Sequence, residues 1–175
     1  MPPSDIQRFE RIVLPHLDDA YTLARYLLRD QHEAQDAVQD AVLRALRYFE
    51  TYRDGDARAW LLAIVRNCCL TRHRKARVEQ ANIALVEDID VVHEHAGRAT
   101  DARAVEQSER AALQRALDGL PAEFREVIVL REVQGLSYRE ISDVVGVPIG
   151  TVMSRLARAR RRLAATLGHG AQEAG

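Results

Sequence analysis

Residues 136–156 read LSYREISDVVGVPIGTVMSRL, and this stretch decides the fold. Ser137 is followed three residues later by Glu140, the spacing of a capping box, so a helix starts there. Ile141 and Val144 recur at helical spacing and face inward. Gly146 then serves as a turn residue, because a tight corner between two helices often needs positive φ. Pro148 and Gly150 open the next helix, with Val152, Leu156 and later Leu163 toward the core. Thr151, Met153, Ser154, Arg155 and Arg158 are left on or near the outer side. The expected unit is a helix-turn-helix over 137–145 and 148–167. Its second helix suits the DNA major groove, with its first turns against base edges and its arginines against phosphates. A solvated amphipathic helix closing a bundle is the plainer alternative. The capping box, the glycine corner and an acid-free basic helix together favour nucleic acid.

Working outward, Phe124, Val127, Ile128 and Leu130 form the preceding helix, ended at Gly135. Leu113, Ala116, Leu117 and Leu120 form the one before, ended at Pro121. Periodicity fades over 78–104, which reads as a linker. Before it, the spacing predicts a helix from about 57 to 77 with Leu61, Ile64, Val65 and Cys68 on one side. The clearest periodicity lies at 31–50: Ala34, Ala37, Val38, Ala41, Val42, Ala45, Leu46 and Phe49. Residues 51–56 form a loop with Asp-Gly turn chemistry, and 5–29 form helix interrupted at Pro15. The expected class is all-α: two small helical domains, 1–77 and 105–167, joined by an acidic linker, 78–104. The C-terminal domain is the helix-turn-helix, and 168–175 is read as a flexible tail.

Composition sets the outer bounds. The chain has 175 residues, enough for one medium domain or two small ones, and 47% are hydrophobic, which argues against bulk disorder. Aromatics at 5% argue against a β-sandwich or barrel. No apolar run is long enough to span a bilayer, and the start lacks a signal-peptide pattern. A cytoplasmic protein without membrane insertion is expected. The two cysteines, Cys68 and Cys69, are adjacent, which excludes a disulfide scaffold. Net charge is −1, which taken alone disfavours a nucleic-acid partner, but the mean hides patches. Residues 57–80 carry six basic residues against Glu79, a net of +5. Residues 149–167 carry five arginines and no acid, again +5, while 81–104 is net −3.

These residues reach a resemblance. Residues 136–142 and 146–160 look like the −35-reading domain of bacterial extracytoplasmic-function (ECF) sigma factors, and 120–132 matches the helix that precedes it. The resemblance implies −35 DNA contacts by Thr151, Ser154, Arg155 and Arg158. Many members carry a basic residue where this chain has Met153, so a different −35 preference is expected. The front half resembles the family independently. Leu43 sits off the apolar stripe among Asp36, Gln39, Asp40, Arg47 and Glu50. Residues 36–46 resemble the segment that binds core RNA polymerase, which implies contacts by Asp36, Gln39, Asp40 and Leu43. Residues 59–67 resemble the promoter-melting segment. Strand opening needs a pocket for an unstacked base and cations along the single strand. The resemblance implies a pocket formed by the 50–56 loop and Asn67, with Trp60, Arg66, Thr71, Arg74 and Lys75 along the −10 strand. For Trp60, a packed core role outweighs base stacking.

The resemblance therefore implies a sigma factor that binds core RNA polymerase and promoter DNA and is not itself an enzyme. Family members are often held by an anti-sigma factor, a partner it also allows. No cofactor or small-molecule substrate is expected. Cys69 and His73 have a metal-compatible spacing but no third ligand, and Asp88, Asp90, His93, Glu94 and His95 read as solvated linker, so no metal is expected. The competing readings are a stand-alone helix-turn-helix regulator, which would need a dimerisation helix, and a helical enzyme using the 88–95 cluster.

Overall fold

The computed structural model describes residues 3–83 and 101–172, and all regular structure in them is helical. The 88–95 cluster lies outside them. Helix α1 (Pro3–Val13) gives way to a 3-10 turn at Leu14–His16, where Pro15 cannot donate to an α-helical ladder. Helix α2 (Leu17–Leu28) ends on Arg29 in the left-handed conformation, φ 61°. Asp30 then caps α3 (Gln31–Arg47), accepting from the Glu33 amide at 2.8 Å. Buried Ala34, Ala37, Ala41 and Ala45 form a small-residue stripe on α3 that faces the core. The helix stops at Arg47, short of residue 50. Phe49 is instead buried from a 3-10 turn, Phe49–Thr51.

Helix α4 (Ala57–Ile83) starts where the Asp56 carboxylate accepts from the Ala59 amide at 3.1 Å. It runs past Arg77, where the sequence pattern fades, to Ile83. Its fading hydrophobic periodicity has a simple cause: from His73 to Ala81 every residue is exposed, so no core imposes a period.

Helix α5 (Asp101–Asp118) likewise begins inside the expected linker span. Pro121 separates it from α6 (Ala122–Ile128), which continues as a π-helical turn, Val129–Val133. Arg125 is buried and donates to the carbonyls of Leu117, Asp118 and Leu120 at 2.8–2.9 Å. Leu117 and Asp118 are at the end of α5, where a helix leaves its last carbonyls without intrahelical partners, and Leu120 follows in the turn. Burial lowers the Arg125 pKa below its ordinary value, with Arg29 adding to that and Asp118 opposing it.

The corner matches the sequence expectation. Helix α7 (Tyr138–Val145) carries the complete capping box: Ser137 Oγ accepts from the Glu140 amide and Glu140 accepts from the Ser137 amide at 2.6 Å. Gly146 has φ 72°. The Ser142 hydroxyl closes the corner by donating to the Val147 carbonyl at 2.5 Å. Helix α8 (Ile149–Gln172) continues through 168–172, which the sequence suggests is frayed.

The two halves pack together, α4 against α7 and α2 against α6. One apolar cluster runs from Val13, Leu23, Leu61 and Val65 to Val127, Leu130, Ile141 and Leu156. Arg58 donates to Asp19 at 2.6 Å and to the Gln134 carbonyl at 2.7 Å, and Gln134 donates to the Asp19 carbonyl.

Candidate functional site

Three surfaces collect the residues of interest. The first is the outer side of α3. Asp36, Gln39 and Leu43 are exposed there, and Asp40 is partly so. Leu43 is 57% exposed and lines an open groove with Ile6, Leu46, Arg47 and Glu50. The acids are not free. Arg72 reaches across from α4 to Glu33 at 2.9 Å, Asp40 at 2.8 Å and Asp36 at 3.8 Å. The hydrogen bond that Arg72 donates to Asp40 holds its guanidinium above its ordinary pKa. This side therefore carries a groove of three apolar and two charged residues around Leu43 and, nearer the start of α3, a partly neutralised acidic row.

The second surface is on α4. Asn67, Thr71, Arg74 and Lys75 are exposed, and their steps of four, three and one align them on one side of the helix. The Thr71 hydroxyl donates to the Asn67 carbonyl at 2.9 Å, which leaves the Asn67 amide side chain for other partners. Trp60 begins the same side, partly buried and tilted against Tyr52 at 5.0 Å and Phe49 at 6.4 Å. The adjoining loop is well held. The Tyr52 hydroxyl donates to the Gly55 carbonyl and accepts from its amide, and Arg8 pairs with Asp54 at 2.7 Å.

Arg66 does not join this side. One residue before Asn67, it points about 100° away around the helix. Its Nε and Nη2 grip both oxygens of Glu126 on α6 at 2.6 and 3.0 Å. Glu126 is buried.

The third surface is α8. Its five arginines between 155 and 162 differ in circumstance. Arg155 approaches Glu126 at 3.6 Å and Glu123 at 3.7 Å. Arg160 grips Glu132, and Arg162 stacks 5.2 Å over the Phe124 ring. Arg158 and Arg161 are exposed without an acidic partner among the described residues. They are three residues apart and so share one side. Thr151 is partly buried, and the exposed Ser154 donates its hydroxyl to the Thr151 carbonyl at 3.0 Å.

Most of the residues singled out from sequence thus stand on these surfaces, while Arg66 and Arg155 converge on Glu126. Sequence reasoning missed Arg161, although its spacing from Arg158 was a usable signal. It had no signal for Glu126, which lies sixty positions from Arg66. Both cysteines are buried. Burial pushes Cys69 up to about 12, with neighbouring Cys68 adding, so neither suits thiolate chemistry. Among the described residues, no group of three His, Cys, Asp or Glu side chains could hold a metal. None of the described helices is long and apolar enough to cross a membrane.

Comparison with known proteins covers both halves. Residues 12–79 match the model for sigma-70 region 2, and residues 110–163 match that for sigma-70 region 4. The chain is 38% identical over 166 residues to the ECF RNA polymerase sigma factor SigM of Mycobacterium tuberculosis, spanning 94% of this chain and 80% of that protein. It is 37% identical to the ECF RNA polymerase sigma factor SigE of Mycolicibacterium smegmatis, but spans only 60% of that relative's length. Among solved structures, it resembles the sigma factor RpoE in complex with the anti-sigma factor NepR from Bartonella quintana. The TM-score is 0.74 at 28% identity, covering 93% of this chain and 98% of that one. CnrH, solved with the cytosolic domain of CnrY, gives a TM-score of 0.65 at 26% identity, covering 93% and 90%.

Proposed function

The chain belongs to the family of ECF RNA polymerase sigma factors, and on that premise we propose that it binds core RNA polymerase and directs it to promoters. Two functional modules carry this, 1–77 and 105–167, joined by 78–104. The groove and acidic row of α3, with Asp36, Gln39, Asp40 and Leu43, face the polymerase. The α4 side bearing Asn67, Thr71, Arg74 and Lys75 holds the opened −10 strand, with Trp60 beside the loop that receives a flipped base. Helix α8 enters the −35 major groove, placing Thr151 and Ser154 near bases and Arg158 on phosphate. The polymerase performs the chemistry, and this chain supplies specificity in the cytoplasm. An anti-sigma partner, as in the RpoE–NepR complex, is part of the same reading.

The observation that carries the reading is the coexistence of two differently built cationic surfaces in one chain: the α4 side around Asn67 and the outer side of α8. A stand-alone helix-turn-helix regulator would leave the match over 12–79 without a role.

The closed packing adds a requirement. By their names, the −35 and −10 elements lie about 25 base pairs apart, on the order of 85 Å of straight duplex. In the closed chain Arg66 and Arg155 share one carboxylate. Both elements can be engaged together only after the halves separate, which frees both arginines for DNA.

The test is transcription with purified core polymerase and full-length chain. Promoter-dependent transcripts are expected, and none on any template, while an authentic sigma factor succeeds, would refute the reading. Asn67→Ala should impair opening of a linear promoter more than binding of the closed duplex, read by permanganate reactivity against gel shift.

A further inference from the structure

The outer side of α8 is not uniformly polar. Its first two turns expose Ile149 at 43% and Met153 at 52%, one helical turn apart. Gly150 and Ala157 lie exposed beside them; Arg161 follows two turns on, about 80° around the helix from Met153, and Arg158 stands on the opposite flank of the exposed side. The neighbouring polar groups are engaged elsewhere: Ser154 donates to the Thr151 carbonyl, and Arg155 leans to Glu123 and Glu126. A lone exposed apolar residue needs no explanation. Here two stand together on one flank of the turns that lead into the groove, while Arg158 and Arg161, without an acidic partner among the described residues, stand farther around the exposed side to meet phosphates. That charge complementarity names duplex DNA as the occupant.

In the major groove the distinctive apolar group is the thymine C5-methyl. A thioether side chain is unbranched and polarizable, and can settle against a methyl without a strict geometry. Neither Ile149 nor Met153 can donate to guanine O6 or N7. Resting on the sigma-factor reading above, we propose that Met153, with Ile149 beside it, reads thymine methyl groups in the upstream promoter element. Thymine-bearing steps are then the specificity determinant at these turns of α8, while Arg158, Arg161 and, once the halves separate, Arg155 supply the charged contacts.

The experiment starts with holoenzyme, the full chain on core polymerase, and a pool of duplexes randomised in the upstream element. The selected duplex is remade with deoxyuridine in place of upstream thymidines, which removes only the methyl groups. Wild-type holoenzyme should lose about fourfold in affinity per contacted methyl, the worth of one buried methylene-sized group. Met153→Ala should lose most of that sensitivity yet keep its salt dependence, because the phosphate contacts remain. Met153→Lys should move the selected sequences toward guanine. Met153 is exposed, so these variants should keep the wild-type melting temperature. Arg161→Ala separates the two kinds of contact: it should lower the salt dependence and leave the deoxyuridine penalty intact. No penalty in wild type, or an undiminished one in Met153→Ala, would overturn the proposal. If holoenzyme enriches no upstream sequence over core alone, the sigma-factor reading falls, and the proposal with it.

Discussion

Helices α4 and α8 carry the same net charge of +5 over 57–80 and 149–167, but distribute it on different axes. On α4 the division runs along the helix. The arginines of the buried stretch are bound inside the fold: Arg58 to Asp19, Arg66 to Glu126 and Arg72 to the acids of α3. Arg74, Lys75 and Arg77, on the exposed stretch, have no acidic partner among the described residues. On α8 the division runs around the helix. Arg155, Arg160 and Arg162 are held on the packed side or its edge, while Arg158 and Arg161 stand outside. A projecting cationic stalk suits a flexible single strand, and a cationic face suits a groove of fixed width. Equal formal charge therefore supports two different kinds of DNA contact.

The point where the two helices meet gives the largest expected effect. Glu126→Ala leaves Arg66 and Arg155 beside an emptied buried site and should cost about 2–3 kcal/mol, reduced from the fully buried case by the partial exposure of Arg66. Urea unfolding measures this. Glu123→Ala, which removes only the exposed partner of Arg155, should stay within about 0.5 kcal/mol. Equal losses would mean that Glu126 is not the shared anchor.

The division around α8 gives the next test. Arg158→Ala and Arg161→Ala should each lower the slope of log affinity against log salt by about one, measured on duplex with holoenzyme. Arg160→Ala, whose guanidinium lies on Glu132, should leave that slope unchanged. A similar drop for all three would erase the distinction between inner and outer arginines.

On α4, Lys75→Ala should lower the single-strand slope by about 0.7, while Arg58→Ala should change stability rather than strand binding. Fluorescence anisotropy with a non-template oligonucleotide checks the first, and thermal unfolding the second.

The smallest effect concerns the helix-turn-helix corner that presents α8. Hydrogen bonds from Ser137 hold the Glu140 carboxyl below its ordinary pKa. Its stabilising contribution is present above the ordinary carboxylate range and is lost as pH falls through the depressed value. Glu140→Gln should therefore lie closest to wild type in melting temperature at acidic pH and separate from it toward neutrality. A constant gap would mean that the charge of the capping box is immaterial.

Much of the fold was legible because the relevant signals are local. The capping box, Gly146, Pro121, Pro15 and the alanine stripe of α3 each act within a few residues. Helix ends were less legible where a helix leaves the core: from Val78 to Ala81 on α4 every residue is exposed, so no burial imposes a pattern. The π-helical turn at Val129–Val133 also carries no local signature, since its backbone is arranged by packing. Leu43 and Arg158 were found on outer sides because helical spacing tells outside from inside, whereas Asn67 came from the resemblance of residues 59–67 to a known segment.

The amino-acid sequence by itself determined the helical class, the helix-turn-helix corner and the two basic helices, because period, caps and turn chemistry are properties of neighbouring residues. Only the tertiary structure decided which of the basic residues are available. Whether Arg66 or Arg155 meets a carboxylate depends on helices brought together from distant parts of the chain. A guanidinium drawn to a buried Glu126 has a different role from an identical one left facing water.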